Sequence, residues 1–91
     1  MISAAIVGIG RWGQYLVKSV QETSKFIKFT AGVTRTKSKA EAFCSESAID
    51  LRDDYSEILA DPNIAAVVLA TPHTQHEEQI IAAAEAGKHV F

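Results

Sequence analysis

Gly8, Gly10 and Gly13 constrain this chain more than any other residues: they spell G-x-G-x-x-G directly after an apolar run and directly before a helical pattern. Residues 2–7 have the continuous apolar character of a strand buried on both faces, interrupted only by Ser3. The chain then turns on its glycines into a helix. The first free N–H groups of that helix and the positive end of its dipole suit a phosphate or pyrophosphate. Each glycine has its own task in this reading. Gly8 makes the tight turn, Gly10 lets the backbone approach a pyrophosphate, and Gly13 allows close packing of helix on strand. The bare pattern also occurs as a simple strand-to-helix turn, but the flanking strand and helix favour a dinucleotide site.

Composition sets the outer limits. With 91 residues, 47% of them hydrophobic, the chain suits one small domain with a single core, and is short for a complete α/β enzyme. A net charge of −2 without any long basic run argues against nucleic acid as the main partner. No apolar stretch approaches the roughly 20 residues of a transmembrane helix, so no membrane partner is expected. A strand beginning at Ile2 leaves no room for a charged signal-peptide region, and the lone Cys44 cannot form an internal disulfide. A reducing, cytoplasmic setting is the expectation.

Strands and helices alternate along the chain. Residues 11–22 read as the first helix, with Trp12, Leu16, Val17 and Val20 on one face. Ile27, Phe29, Ala31 and Val33 alternate with Lys28, Thr30 and Gly32, the period of a second strand with one inward face. Ser38 and Glu41 have capping-box spacing and predict a second helix starting near Lys39, with Ala40, Phe43 and Cys44 inward. Residues 48–51 suggest a short third strand, and 54–60 a short helix ended by Asp61-Pro62-Asn63. Residues 64–70 are seven consecutive apolar residues and predict the central strand, stopped by Thr71-Pro72. Thr74 and Glu77 predict a capped helix through about Ala86, with Ile80, Ile81 and Ala84 inward and Gly87 at C′. Residues 88–91 open a fifth strand.

This β-α alternation with short loops implies one α/β domain over residues 1–91, a Rossmann-like doubly wound parallel sheet with helices on both faces. The expected strand order is 3-2-1-4-5, with the ligand across the carboxyl ends of strands one and four.

Three segments carry a family resemblance: A-I-V-G-I-G-R-W-G at 5–13, A-T-P-H-T-Q-H at 70–76 and E-A-G-K-H-V-F at 85–91. Together they resemble the amino-terminal domain of the Gfo/Idh/MocA oxidoreductases over essentially the whole chain. The resemblance implies NAD or NADP as cofactor and hydride transfer on sugars, inositols or related polyols. It implies a pyrophosphate over residues 8–13, closest to the backbone of Arg11 and Trp12, and a nicotinamide beside Ala70, Thr71 and Pro72, with His73 and His76 near its ribose. A histidine in the first turn of a helix also serves simply as a packing residue. No further His or Cys pair stands at ligand spacing beside His73 and His76, and His89 reads as structural, so no metal is expected.

The end of the second strand bears on the choice of cofactor. NAD sites commonly carry a carboxylate there to bind the ribose 2′-hydroxyl. Here the segment reads Val33-Thr34-Arg35-Thr36-Lys37-Ser38-Lys39, with no carboxylate. Arg35 offers a planar fork to a 2′-phosphate, Thr34, Thr36 and Ser38 add hydroxyl donors, and Lys39 is a weaker candidate. A solvated basic loop is the bland alternative. Cations near a helix start oppose the macrodipole by roughly 0.3–1 kcal/mol each, which a bound anion would offset. NADP is therefore expected in preference to NAD.

In the resembling family, the strand at Lys88 leads into an E-K-P segment whose lysine acts near the reacting hydroxyl, and a larger sheet domain completes the substrate site. Neither lies within these residues. No catalytic residue is expected before Phe91, and the chain alone is expected to bind cofactor without turnover. A short last strand and uncovered apolar surface lead us to expect self-association. Two other classes stay open: a non-enzymatic sensor or co-regulator that uses cofactor occupancy, and a nucleotide-binding or interaction module without redox chemistry. Trp12 is the one tryptophan, so its fluorescence is expected to change on titration with NADP or NAD; a flat response to both would remove the dinucleotide reading.

Overall fold

The computed structural model describes residues 2–71 and 73–91, apart from the side chains of His73 and Thr74. Its elements run β1 (Ile2–Val7), α1 (Arg11–Thr23), β2 (Ile27–Val33), a 3₁₀ turn (Lys37–Lys39), α2 (Glu41–Glu46), β3 (Asp50–Arg52), α3 (Tyr55–Ala60), β4 (Ala66–Leu69), α4 (His73–Glu85) and β5 (His89–Val90). The strands form one parallel sheet in the order β3-β2-β1-β4-β5, as expected. Chain direction across the sheet reverses after β3, so right-handed crossovers put α1 and α2 on one face and α3 and α4 on the other.

Each face has its own apolar cluster. Ala4, Ile6, Phe29 and Ala66 meet Val17, Phe43 and Cys44 from α1 and α2. Ala5, Val7, Ala31, Val33 and Val67 meet Ile58 and Ala83 from α3 and α4. The single inward face predicted for the second strand is therefore corrected. β1 pairs Ala4 with Phe29 but Ala5 with Ala31, which leaves Thr30 as an extra residue in β2. One extra residue inverts every side chain beyond it, so Ile27 and Phe29 face α1 while Ala31 and Val33 face α3.

Other expectations shift for identifiable reasons. The Ser38–Glu41 capping box is replaced by the 3₁₀ turn, and α2 starts at Glu41 with Ala40 as an N-cap that makes no side-chain bond. The third strand is displaced from 48–51 to Asp50–Arg52 because Ala48, at φ 58°, ends α2 in the left-handed conformation. The Ile49 N–H donates to the Cys44 carbonyl at 2.9 Å, as in a Schellman motif, but without the usual glycine. Trp12 is 59% exposed rather than inward, stacked on Tyr15 with ring centroids 5.5 Å apart. In α4 the inward residue is Ala83, while Ile80 and Ile81 are 44% and 52% exposed and Ala84 is exposed too. The expected stop at Pro72 and the expected Thr74 cap lie outside the described residues.

The E-A-G-K-H-V segment is a structural device. Gly87 has φ 77°, its N–H donates to the Ala84 carbonyl, and the Lys88 N–H donates to the Ala83 carbonyl, which together make the C-terminal cap of α4. The Lys88 ammonium donates to the carbonyls of Asp61 and Ile64, both at 2.6 Å, tying β5 to the loop before β4. Arg52 bridges Asp50 and Asp61, and its guanidinium holds the Asp61 carboxyl below the usual carboxylate range. Among the described residues, no helix is long and apolar enough to cross a membrane.

Ala48 gives a direct test of the helix stop. A non-glycine residue in the left-handed region costs about 1–2 kcal/mol, partly offset by its smaller loss of backbone entropy. Ala48→Gly is expected to raise unfolding stability by about 0.5–1 kcal/mol in urea titration, and a loss of stability would contradict this account.

Candidate functional site

The carboxyl ends of the first four strands open onto one cavity of about 520 Å³. Gly8–Gly10 follow β1, Thr34 and Arg35 follow β2, Asp53 and Asp54 follow β3, and Ala70 and Thr71 follow β4; all of these border it. Such a crevice arises because the neighbouring strands β1 and β4 lead into helices on opposite faces of the sheet, so the loops that follow them diverge.

The turn after β1 shows three different demands for glycine. Gly8 has φ 94°, and its N–H donates to the Val33 carbonyl at 2.8 Å. At Gly13 a Cβ atom would stand 2.1 Å from the Gly8 carbonyl oxygen, so only glycine lets α1 start this close to β1. Gly10 differs from both. Its φ of −88° suits any residue, and a Cβ there would meet, among the described residues, no atom beyond its chain neighbours within 4 Å. Protein packing therefore does not require glycine at this position. The space in front of it is open, and Gly10 provides no side-chain cap to the N–H groups beginning α1.

Neighbouring strands hold the turn in place. The Ile9 N–H donates to Thr34 Oγ1 at 3.2 Å, and the Ala70 N–H donates to the Val7 carbonyl at 2.8 Å. On the far wall, Thr71 Oγ1 donates to Gln79 Oε1 at 2.5 Å, and the Tyr55 hydroxyl donates to the Gln79 carbonyl at 2.9 Å. Burial pushes the Tyr55 phenol above its ordinary pKa, so it remains a neutral donor at physiological pH. Gln75 and Gln79 of α4 complete that wall.

Charges cluster beside the end of β2. Lys37 pairs with Asp53, whose carboxylate raises the Lys37 ammonium above the ordinary lysine value. Asp54 is engaged with the backbone of α3: its carboxylate accepts from the Ser56 N–H, while Glu57 accepts from the Asp54 N–H in a capping box. Arg35 is exposed on the cavity wall and, among the described residues, makes no ion pair.

Of the residues singled out from sequence, the fold brings Gly8, Gly10, Thr34, Arg35, Ala70 and Thr71 to the cavity wall. Arg11, Trp12 and Gly13 form the first turn of α1 beside it, and Lys39 lies exposed in the 3₁₀ turn. His76 is half-buried in α4. Pro72 and the His73 side chain lie outside the described residues. Asp53, Asp54, Tyr55, Gln75 and Gln79 were missed. The first three follow β3, whose carboxyl end was expected at Leu51 rather than Arg52 and carried no motif; nor did the glutamines. Among the described residues, no group of three His, Cys, Asp or Glu side chains is placed to hold a metal ion.

The chain matches, over residues 2–91, the family described as the oxidoreductase family with an NAD-binding Rossmann fold. It is 35% identical over 91 residues to scyllo-inositol 2-dehydrogenase (NAD(+)) of Bacillus subtilis, covering 99% of this chain and 27% of that protein. Over 57 residues it is 40% identical to D-xylose 1-dehydrogenase (NADP(+)) of Hypocrea jecorina, covering 58% of this chain and 15% of that one. Scyllo-inositol dehydrogenase from Lactobacillus casei, solved with bound NAD(H) and scyllo-inositol, superposes with a TM-score of 0.91 at 27% identity, over 100% of this chain and 27% of that one. The chain thus spans about a quarter of the length of the inositol dehydrogenases it matches.

The contrast between two glycines separates binding from folding. Gly10→Ala is expected to leave stability unchanged or raised by up to about 1 kcal/mol, yet to weaken dinucleotide binding at least tenfold by calorimetry. Gly13→Ala is expected to lower the melting temperature, because its methyl group collides with backbone. Equal binding by wild type and Gly10→Ala would mean that the open space is not a ligand site.

Proposed function

The chain belongs to the Gfo/Idh/MocA oxidoreductase family, and we propose that its cavity holds the dinucleotide NADP in preference to NAD. The observation that carries this reading is the contrast between Arg35 and Lys37 after β2. Lys37 is taken up by Asp53, whereas Arg35 borders the cavity with no ion-pair partner among the described residues. An exposed guanidinium with both edges available is matched to a phosphate monoester, and no carboxylate in the segment 33–39 competes for a ribose hydroxyl. Thr34 supplies a nearby hydroxyl, and Lys39 adds longer-range positive potential.

The remaining roles follow the path of the cavity. The open space at Gly10 and the uncapped start of α1 favour a pyrophosphate, received by N–H groups near Arg11 and Trp12. By the resemblance, Ala70, Thr71 and Pro72 are assigned to the nicotinamide end, and His73 and His76 to its ribose. Thr71 is restrained there by its bond to Gln79. When bound, the nicotinamide donates or accepts a hydride. In the longer protein we propose that the hydride partner is a carbon bearing a hydroxyl on a sugar, inositol or related polyol, the class named for the Bacillus subtilis and Hypocrea jecorina relatives. The residues of this chain bind and orient the cofactor, and none is assigned the proton transfer.

Dissociation constants for NADPH and NADH, measured for wild type and Arg35→Ala, test the preference. Wild type is expected to bind NADPH more tightly, and the substitution to weaken NADPH about tenfold or more while changing NADH less than about twofold. An unchanged NADPH/NADH ratio would overturn it.

A further inference from the structure

We propose that Asp53, with Lys37, is a second determinant of cofactor choice, acting against the 2′-phosphate that Arg35 attracts; this inference rests on the dinucleotide reading of the cavity. β2 and β3 pair Ala31 with Asp50, Gly32 with Leu51 and Val33 with Arg52, so the two strands finish side by side. The next residues along, Thr34 and Arg35 on one strand and Asp53 on the other, then border the same cavity. A ligand anion received by Arg35 therefore lies in the same cavity as the Asp53 carboxylate and within its electrostatic reach.

Three further observations give that carboxylate a specific role. First, Asp54 is bound to the start of α3 through Ser56, where its charge is also favourably placed against the helix dipole. Asp53 has no such duty to the helix through its side chain; its carboxylate is paired with Lys37. Secondly, Lys37 lies two residues beyond Arg35, so the pair ties the loop after β2 to the loop after β3 at the cavity edge. Thirdly, both partners are substantially exposed, which makes the pair a weak contributor to folding and leaves its charges free to act on a ligand.

Two consequences have opposite signs. Asp53 withholds Lys37 from an incoming phosphate and adds a negative charge to the wall, both of which disfavour a 2′-phosphate. Lys37 in turn neutralises Asp53, so its removal leaves that negative charge bare. NADH lacks the 2′-phosphate and is much less sensitive to either change.

Dissociation constants for NADPH and NADH are to be measured on the whole chain for wild type, Asp53→Asn, Lys37→Ala and the double variant, with Arg35→Ala alongside. Asp53→Asn is expected to tighten NADPH about fivefold, and Lys37→Ala to weaken it about fivefold, with NADH changing less than about twofold. The double variant is expected to depart from the product of the two single effects, because each partner's effect depends on the other. The single-variant effects are expected to shrink at 0.5 M salt, where exposed charges are screened. Unchanged melting temperatures are expected for all variants. If Arg35→Ala abolishes the NADPH preference while Asp53→Asn and Lys37→Ala leave it alone, this inference is overturned and the Arg35 reading survives. Parallel shifts of NADPH and NADH, or strict additivity in the double variant, likewise overturn it. Failure of wild type to bind either dinucleotide overturns both readings.

Discussion

The close approach of α1 to β1 is the constraint on which the rest of the carboxyl edge depends. A Cβ on Gly13 would stand 2.1 Å from the Gly8 carbonyl oxygen, so the helix begins almost in contact with the strand it follows. That contact leaves room for only a short turn, which Gly8 completes at φ 94°. It also brings the first N–H groups of α1 to the cavity rather than beyond it. The open space at Gly10 has value only because Gly13 keeps the helix this near. Gly8 and Gly13 are therefore required by the protein's own backbone, whereas at Gly10 the protein leaves open space.

The second organising feature is one extra residue in β2. Thr30 inverts the strand midway, and without that inversion Gly32 and Thr34 would face α3 and α4. Instead both meet Ile9: a Cβ on Gly32 would stand 2.8 Å from Ile9 Cδ1, and Thr34 Oγ1 accepts the Ile9 N–H. The bulge thereby seats the turn after β1 on Gly32 and Thr34, at the start of the loop that carries Arg35. Its effect on stability is absorbed because β2 is buried on both faces, so inverted apolar residues still find an apolar cluster.

Packing also explains why the largest apolar side chains misled the reading of α4. Ile80 and Ile81 suggested the inward face, yet Gln79 and Ala83, four residues apart, are the pair turned towards the sheet. Two hydrogen bonds on Gln79, from Thr71 and Tyr55, set the rotation of the helix, and Ala83 lets it lie close to β4 and β5. Hydrophobicity alone contains no term for a polar residue anchored by two partners. Ala48 taught the same lesson at α2, since a helix stop without glycine leaves no mark in the sequence and shifts the following strand along with its carboxyl end.

Sequence by itself determined the alternation of elements, the order of the strands and the demand for glycine at Gly8 and Gly13, because each depends on local periodicity or backbone geometry. It also exposed Arg35 and the absence of a carboxylate after the second strand, which are properties of contiguous residues. Tertiary structure alone decided that Asp53 borders the same cavity as Arg35, that it engages Lys37, and that Gln79 braces Thr71. The two bonded pairs, Lys37 with Asp53 and Thr71 with Gln79, join residues 16 and 8 positions apart through strand register and helix rotation. A one-residue bulge or a displaced helix stop changes both, so such contacts are settled only when the sheet and its two helical layers pack together.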